Sequence, residues 1–234
     1  MISRLKKGVG TLHFLKPYLI CALILLAMFL TSHILIRLVC FFTKLRFFAD
    51  GTATVSAVVA YMICRFGEDA VLSRRFYPTG DGGYEEIPLV VVMRSGIAVI
   101  EARQTAGTVS TEGDIWRVLR TNRYGETRSA EFPNPELENE IHADVLKELF
   151  KNAHFRKIPR IVPITVMPKE RIRFHGIVPR ELVSPVTLPR RISELERGKP
   201  LSKKERRAVI ALLERTTRTR RQIPPRKDNH RRTY

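Results

Sequence analysis

Residues 84–107 read YEEIPLVVVMRSGIAVIEARQTAG, and they decide the fold. Val90, Val91 and Val92 form an apolar β-branched run, and Ile97, Ala98, Val99 and Ile100 form a second. Arg94, Ser95 and Gly96 between them supply a tight turn, so the stretch is expected to be a buried hairpin at the centre of a small sheet. The second strand ends on Glu101-Ala102-Arg103. Alternation along a strand puts Glu101 and Arg103 on one face. A core strand has no packing use for an acid and a base at its end, so this pair is the first candidate for chemistry.

Outward from the hairpin, residues 52–66 carry Val55, Val58, Val59, Met62, Ile63 and Phe66 at helical spacing. Ala70–Leu72 is expected to be a first strand, with a loop over 78–83. A further strand covers 115–119, bounded by Gly113-Asp114 and by 122–125. Asn134-Pro135 is a helix start, with Asn as cap and Pro in the first turn. Its apolar face is read as Leu137, Ile141, Val145, Leu149 and Phe150. Glu138 and His142, one turn apart, are within reach of an ion pair. Strands over 161–166 and 172–178 follow, then a short helix over 189–197. Ser202 and Glu205 form a capping box that opens a helix to about Arg215, with Ala208, Ile210, Leu212 and Leu213 as its apolar residues.

The chain has 234 residues and a net charge of +18, spread very unevenly. Residues 1–48 carry 7 basic residues and no acid, residues 49–150 carry 10 basic and 16 acidic, and residues 151–234 carry 24 basic and 7 acidic. A basic end on an acidic middle points to a polyanion partner, nucleic acid or anionic lipid. The three cysteines, Cys21, Cys40 and Cys64, lack the spacing of a disulfide framework or a zinc site.

Residues 17–36, PYLICALILLAMFLTSHILI, contain no Asp, Glu, Lys or Arg. Twenty such residues span a hydrocarbon core of about 30 Å as a helix. Eleven of them are Leu, Ile or Phe, which together favour insertion by roughly 5 kcal/mol. A single transmembrane helix is expected here, after a basic leader (1–16). Arg37, Lys44 and Arg46 interleaved with Phe41, Phe42, Phe47 and Phe48 (37–48) suit the headgroup zone. Four basic residues precede the span and three follow closely, so charge alone leaves its orientation open.

The hairpin resembles the core of the nuclease-related domain family (NERD), a relative of the PD-(D/E)xK restriction-endonuclease fold. Ser95-Gly96 stands in the family's turn, and Ile100-Glu101-Ala102-Arg103 in the place of its Ile-Glu-x-Lys. Upstream, Gly51-Thr52-Ala53-Thr54-Val55 is similar to the family's Gly-Glu-x-x-Val helix start; downstream, Gly107, Trp116 and Asn134-Pro135 fall where its landmarks are expected. The resemblance runs over roughly 49–214. It implies an α/β (α+β) fold, a mixed central sheet flanked by helices. It also implies a Mg²⁺-dependent phosphodiesterase ancestry. The family's helix glutamate is Thr52 here, its first-strand aspartate is Pro88, its lysine is Arg103 and its later glutamine is Glu138. Of its three acids only Glu101 remains.

Glu101 alone is a poor site for Mg²⁺, which takes one or two carboxylates as well as phosphate oxygens. Arg103 cannot act as a base, its pKa lying above about 12. A Glu101–Arg103 remnant with no metal and no cofactor is therefore expected, holding phosphate rather than a cation. Glu86, two residues before Pro88, faces the same side if that strand is regular, and is the substitute acid if Mg²⁺ chemistry survives with Glu101 as ligand. The second candidate constellation is basic: Lys203, Lys204, Arg206 and Arg207 on the last helix, then Arg215, Arg218, Arg220 and Arg221 in a tail (215–234) with nothing to bury. Such charge binds nucleic acid without sequence preference and with strong salt dependence, and attracts anionic lipid too.

Three functions follow. The first is a membrane-anchored domain that binds or positions DNA, its hydrolytic activity lost and its carboxyl-terminal domain cytoplasmic. The second is an active Mg²⁺-dependent nuclease with relocated ligands. The third is a membrane-complex interaction module without a nucleic-acid role.

Overall fold

The computed structural model describes residues 18–39, 54–155, 157–176, 182–219 and 222–223. The chain divides into two units, 1–45 and 46–234. In the first, α1 (Tyr18–Val39) is 22 residues with mean hydropathy 2.6, long and apolar enough to cross a membrane. Its length of about 33 Å matches a hydrocarbon core. It runs three residues past the expected end and takes in Arg37. The Thr31 hydroxyl donates back to the Ala27 and Met28 carbonyls, which removes most of its cost in an apolar medium. Extraction of membranes with alkaline carbonate is expected to leave the full-length chain in the pellet. Its appearance in the soluble fraction would refute a spanning helix.

The second unit is built on a five-stranded mixed sheet in the order β1 (Val71–Pro78), β2 (Tyr84–Met93), β3 (Gly96–Ala102), β7 (Ile161–Val166), β9 (Leu182–Val183). The first three strands form an antiparallel meander, and β7 and β9 add in parallel. All seven residues of β3 are buried, as the apolar run requires. One face packs against α2 (Val55–Phe66) and α4 (Leu188–Glu196), through Val58, Met62, Leu188 and Ile192. Arg65 ties these two helices by an ion pair to Glu196 at 2.7 Å. The other face packs against α3 (Pro135–Asn152) and α5 (Lys203–Thr216), through Leu146, Phe150, Leu212 and Leu213. Thr54, Asn134 and Ser202 cap α2, α3 and α5, the last with a complete capping box. The expected mixed sheet flanked by helices is what forms.

A second sheet, in the order β6 (Thr127–Pro133), β5 (Ile115–Thr121), β4 (Gly107–Ser110), β8 (Ile172–His175), packs Val109, Trp116, Val118 and Met167 beneath it. Only β5 and β8 of this sheet were legible as strands, and β8 ends at His175; residues 177–178 of the expected strand lie outside the described residues. Strand β1 is also longer than its apolar start suggested.

Two helix faces differ from expectation. On α3, Leu137 and Ile141 are exposed, whereas Asn139, His142, Ala143 and Leu146 are buried. The helix is rotated so that polar groups, rather than its largest aliphatics, meet the end of β3. On α5, Val209 is buried and Ala208 is exposed. The tail also begins later than read. Arg218 pairs antiparallel with Phe76 on the edge of β1, through backbone hydrogen bonds of 3.0 and 3.1 Å, and its guanidinium lies 5.3 Å from the Tyr84 ring centroid. Edge pairing satisfies backbone groups that would otherwise face solvent.

Candidate functional site

Glu101 is the penultimate residue of β3 and shares a face with Ile97 and Val99, the face covered by α3. Its β7 partner is Thr165, whose hydroxyl donates to the Pro135 carbonyl at 3.3 Å and so fixes the first turn of α3 against the strand end. The Asn139 amide donates to the Val99 carbonyl at 3.1 Å, at the last rung before β2 and β3 stop pairing. Glu138, Asn139 and His142 thereby face the carboxyl end of β3.

Arg103 joins two of the acids. Its Nε donates to Glu101 Oε1 at 3.3 Å, its Nη2 donates to Glu138 Oε2, and its guanidinium lies 5.5 Å from the Phe132 ring centroid. A planar, permanently charged fork suits two carboxylates better than a lysine does. Arg103 and Glu138, both read from the sequence as departures from the pattern that the hairpin resembles, therefore form an ion pair. Glu138 is taken by Arg103 rather than by His142, whose Nε2 lies 3.4 Å from Glu85 Oε1. Burial pushes the Glu101 carboxyl above its ordinary pKa. Arg103 opposes that shift, Glu138 adds to it and His142 opposes it.

Glu85 comes to this place through a break in the strands. Val90 and Val92 face α3, yet so does Ile87, three residues from Val90 rather than an even number. The same reversal occurs across the ladder, where Leu72 and Tyr77, five apart, share that face. Between them the registered pairs skip Arg74 and Pro88. Pro88 has no N–H to give the ladder, and Arg74 takes φ +48°. Tyr77 and its partner Glu85 thus lie on the Glu101 side, because directly opposed residues share a face. Glu86, the acid expected there, is paired with Phe76 and exposed. A regular strand was the premise of that expectation, and the strand is not regular.

Mg²⁺ does not fit these residues. The guanidinium of Arg103 lies against both Glu101 and Glu138, and among the described residues no group of three or more His, Cys, Asp or Glu is arranged to hold a metal ion. Thr52 lies outside the described residues.

The basic candidates separate. Lys203, Lys204, Arg207 and Arg215 are exposed on α5. Arg206 is half-buried and donates to the Val92 carbonyl at 3.2 Å, so its charge serves the fold. Arg218 is held on β1 as described above, and Arg220 and Arg221 lie outside the described residues. Ser95, read as part of the family turn, is buried and donates to the Leu195 carbonyl at 2.6 Å. It holds the end of α4.

No curated protein and no solved structure matches the chain. The family model described as nuclease-related domain matches residues 53–168, which takes in α2, both hairpins, α3 and β7 and stops short of α4 and α5. Over residues 53–168 this chain is a nuclease-related domain.

Proposed function

We propose that the chain is a membrane-anchored nuclease-related domain that binds or positions DNA and has lost hydrolytic activity. The observation that carries this reading is Arg103 lodged against Glu101 and Glu138. A fixed cation there neutralises the one family acid that remains and takes the place a metal ion would need. The exposed cations of α5 and the basic carboxyl-terminal third add sequence-independent attraction to a polyanion. α1 supplies the anchor, and a DNA partner places the domain on the cytoplasmic side. Anionic headgroups would reinforce that placement.

A second reading, an active nuclease with relocated ligands, is favoured by one observation: Glu85 lies on the Glu101 face in contact with His142. Mg²⁺-dependent nicking of plasmid by the natural chain, lost on Glu101→Ala, would separate the two.

Binding of the full-length chain, in detergent, to a fluorescent duplex tests the first reading. The affinity is expected to fall steeply with salt. Truncation after Thr219 keeps the Arg218–Phe76 pairing and removes six basic residues, so it is expected to flatten that dependence. Absence of duplex binding at low salt would overturn the DNA reading and leave the interaction-module function in its place.

A further inference from the structure

Beyond its pairing with β4, which ends at Leu119, the hairpin β5–β6 stands away from the core. Every residue from Leu119 to Glu131 is exposed, on both strands and through the turn. The pairing is nonetheless regular, with Leu119 opposite Ser129, Arg120 opposite Arg128 and Thr121 opposite Thr127. The turn is braced as well. Asn122 Oδ1 accepts from the backbone N–H of Tyr124 at 2.9 Å and of Glu126 at 3.0 Å, and Asn122 Nδ2 donates to Glu126 Oε2 at 2.8 Å. A two-stranded ribbon without an apolar face gains little from folding. Nothing in the packing of the core calls for it.

Its charge is more informative. Residues 49–150 carry 16 acids against 10 bases, yet four of those bases, Arg117, Arg120, Arg123 and Arg128, lie on this hairpin with only Glu126 and Glu131. Arg117 is neutralised by Glu131 at 2.6 Å. Arg120 and Arg128 are directly opposed, an arrangement that costs stability in an isolated sheet. The Arg128 side chain has no hydrogen-bond or ion-pair partner among the described residues. Both arginines occupy the ribbon face that also carries Trp116 and Phe132, which are opposed in the same register. Phe132 lies under the Arg103 guanidinium, and Arg120 donates to Thr105 Oγ1 at 3.2 Å, two residues beyond Arg103. Arg103, Arg120 and Arg128 therefore follow one another along one surface, and Arg123, its guanidinium 4.8 Å from the Tyr124 ring centroid, stands at the tip. From Phe132 to Arg128 the strand covers about 13 Å.

We propose that this ribbon is the nucleic-acid contact of the domain, docking in a groove of a duplex so that its phosphates run along Arg128 and Arg120. The proposal rests on the DNA reading above and deepens it. A two-stranded ribbon fits a major groove about 12 Å wide, and the opposed arginines lose their repulsion when phosphate lies between them.

The test is duplex binding by the full-length chain across a salt series. It compares Arg120→Gln with Arg128→Gln, made together, against Arg94→Gln with Lys147→Gln, two exposed positions that remove the same charge from the β2–β3 turn and α3. The ribbon variant is expected to bind on the order of tenfold more weakly at low salt, with a log–log salt slope shallower by about 2, and the control to match the natural chain. Arg128→Gln alone, at an exposed position, is expected to flatten the slope by about 1 with an unchanged or higher Tm. This single variant keeps the test open if the double one misfolds. Equal weakening of ribbon and control variants would show bulk charge and overturn the proposal. A ribbon variant that binds like the natural chain overturns the proposal and leaves the DNA reading standing. A natural chain that binds no duplex removes both.

Discussion

Replacing Gly96 with alanine is expected to destabilise the domain by about 3 kcal/mol or more, a size reserved for a named structural fault. Gly96 holds φ +150° where the chain leaves the β2–β3 turn, and a Cβ there would sit 2.3 Å from the Arg160 carbonyl oxygen. That oxygen cannot retreat cheaply, because it accepts from the Ile97 N–H at 2.8 Å and so starts the β3–β7 ladder. The clash thus falls on the rung that joins the meander to the parallel half of the sheet. Thermal unfolding of the full-length chain in detergent should show a Tm lower by roughly 6–12 °C. Gly82→Ala is the comparison: Gly82 also has positive φ, +80°, but nothing lies within 4 Å of its Cβ, so only the backbone term of about 1 kcal/mol applies. Equal effects at the two sites would mean that the sheet tolerates displacement of Arg160, and that the hairpin is not the organising element.

That hairpin was legible because its signals are local. Two β-branched runs and a Ser-Gly turn specify paired strands with no knowledge of their neighbours. Helix α3 was equally legible at its start, since Asn134 and Pro135 act within one turn. Which side of α3 is buried was not. Periodicity favoured Leu137 and Ile141, but the end of β3 presents the Val99 carbonyl and, just beyond it, the Arg103 guanidinium, which call for Asn139 and Glu138 instead. Strand β6 escaped notice for a related reason. Its residues are exposed on both faces, so no alternation of apolar and polar residues marks it. The same property that hid it makes it the candidate nucleic-acid contact.

The site was half legible. Glu101 and Arg103 share a face by strand alternation alone, and the structure has them 3.3 Å apart. The role of Glu138 depends on long-range packing of α3, which spacing does not encode. Glu85 is the most instructive miss. Pro88 was visible in the sequence as a residue unable to join a ladder, and its consequence is a reversal of phase that exchanges Glu86 for Glu85 on the site face. A proline inside a strand pattern is therefore a reason to suspend alternation arguments on its far side.

The natural chain is expected to show no Mg²⁺-dependent nicking of supercoiled plasmid, while Pro88→Asp, Arg103→Lys and Thr52→Glu together are expected to gain it. Arg103→Lys alone should do little. It frees one carboxylate from a forked donor but adds no second acid beside Glu101. Pro88→Asp acts twice. Continued past its last rung, Val90 opposite Val99, the β2–β3 register would set residue 88 across from Glu101. Opposed residues on paired strands have Cβ atoms about 4.5–5.5 Å apart, close enough for two carboxylates to share one cation. An aspartate also restores the N–H that Pro88 withholds, and so removes a cause of the gap opposite Arg74. The informative comparison is the natural chain against Glu101→Ala in Mg²⁺ and in Mn²⁺. Cutting by the natural chain that disappears with Glu101→Ala would show a living site and overturn the loss of activity. Glu85→Gln would then be the variant to make, because only Glu85 lies on the Glu101 face of β2 where a relocated acid is required.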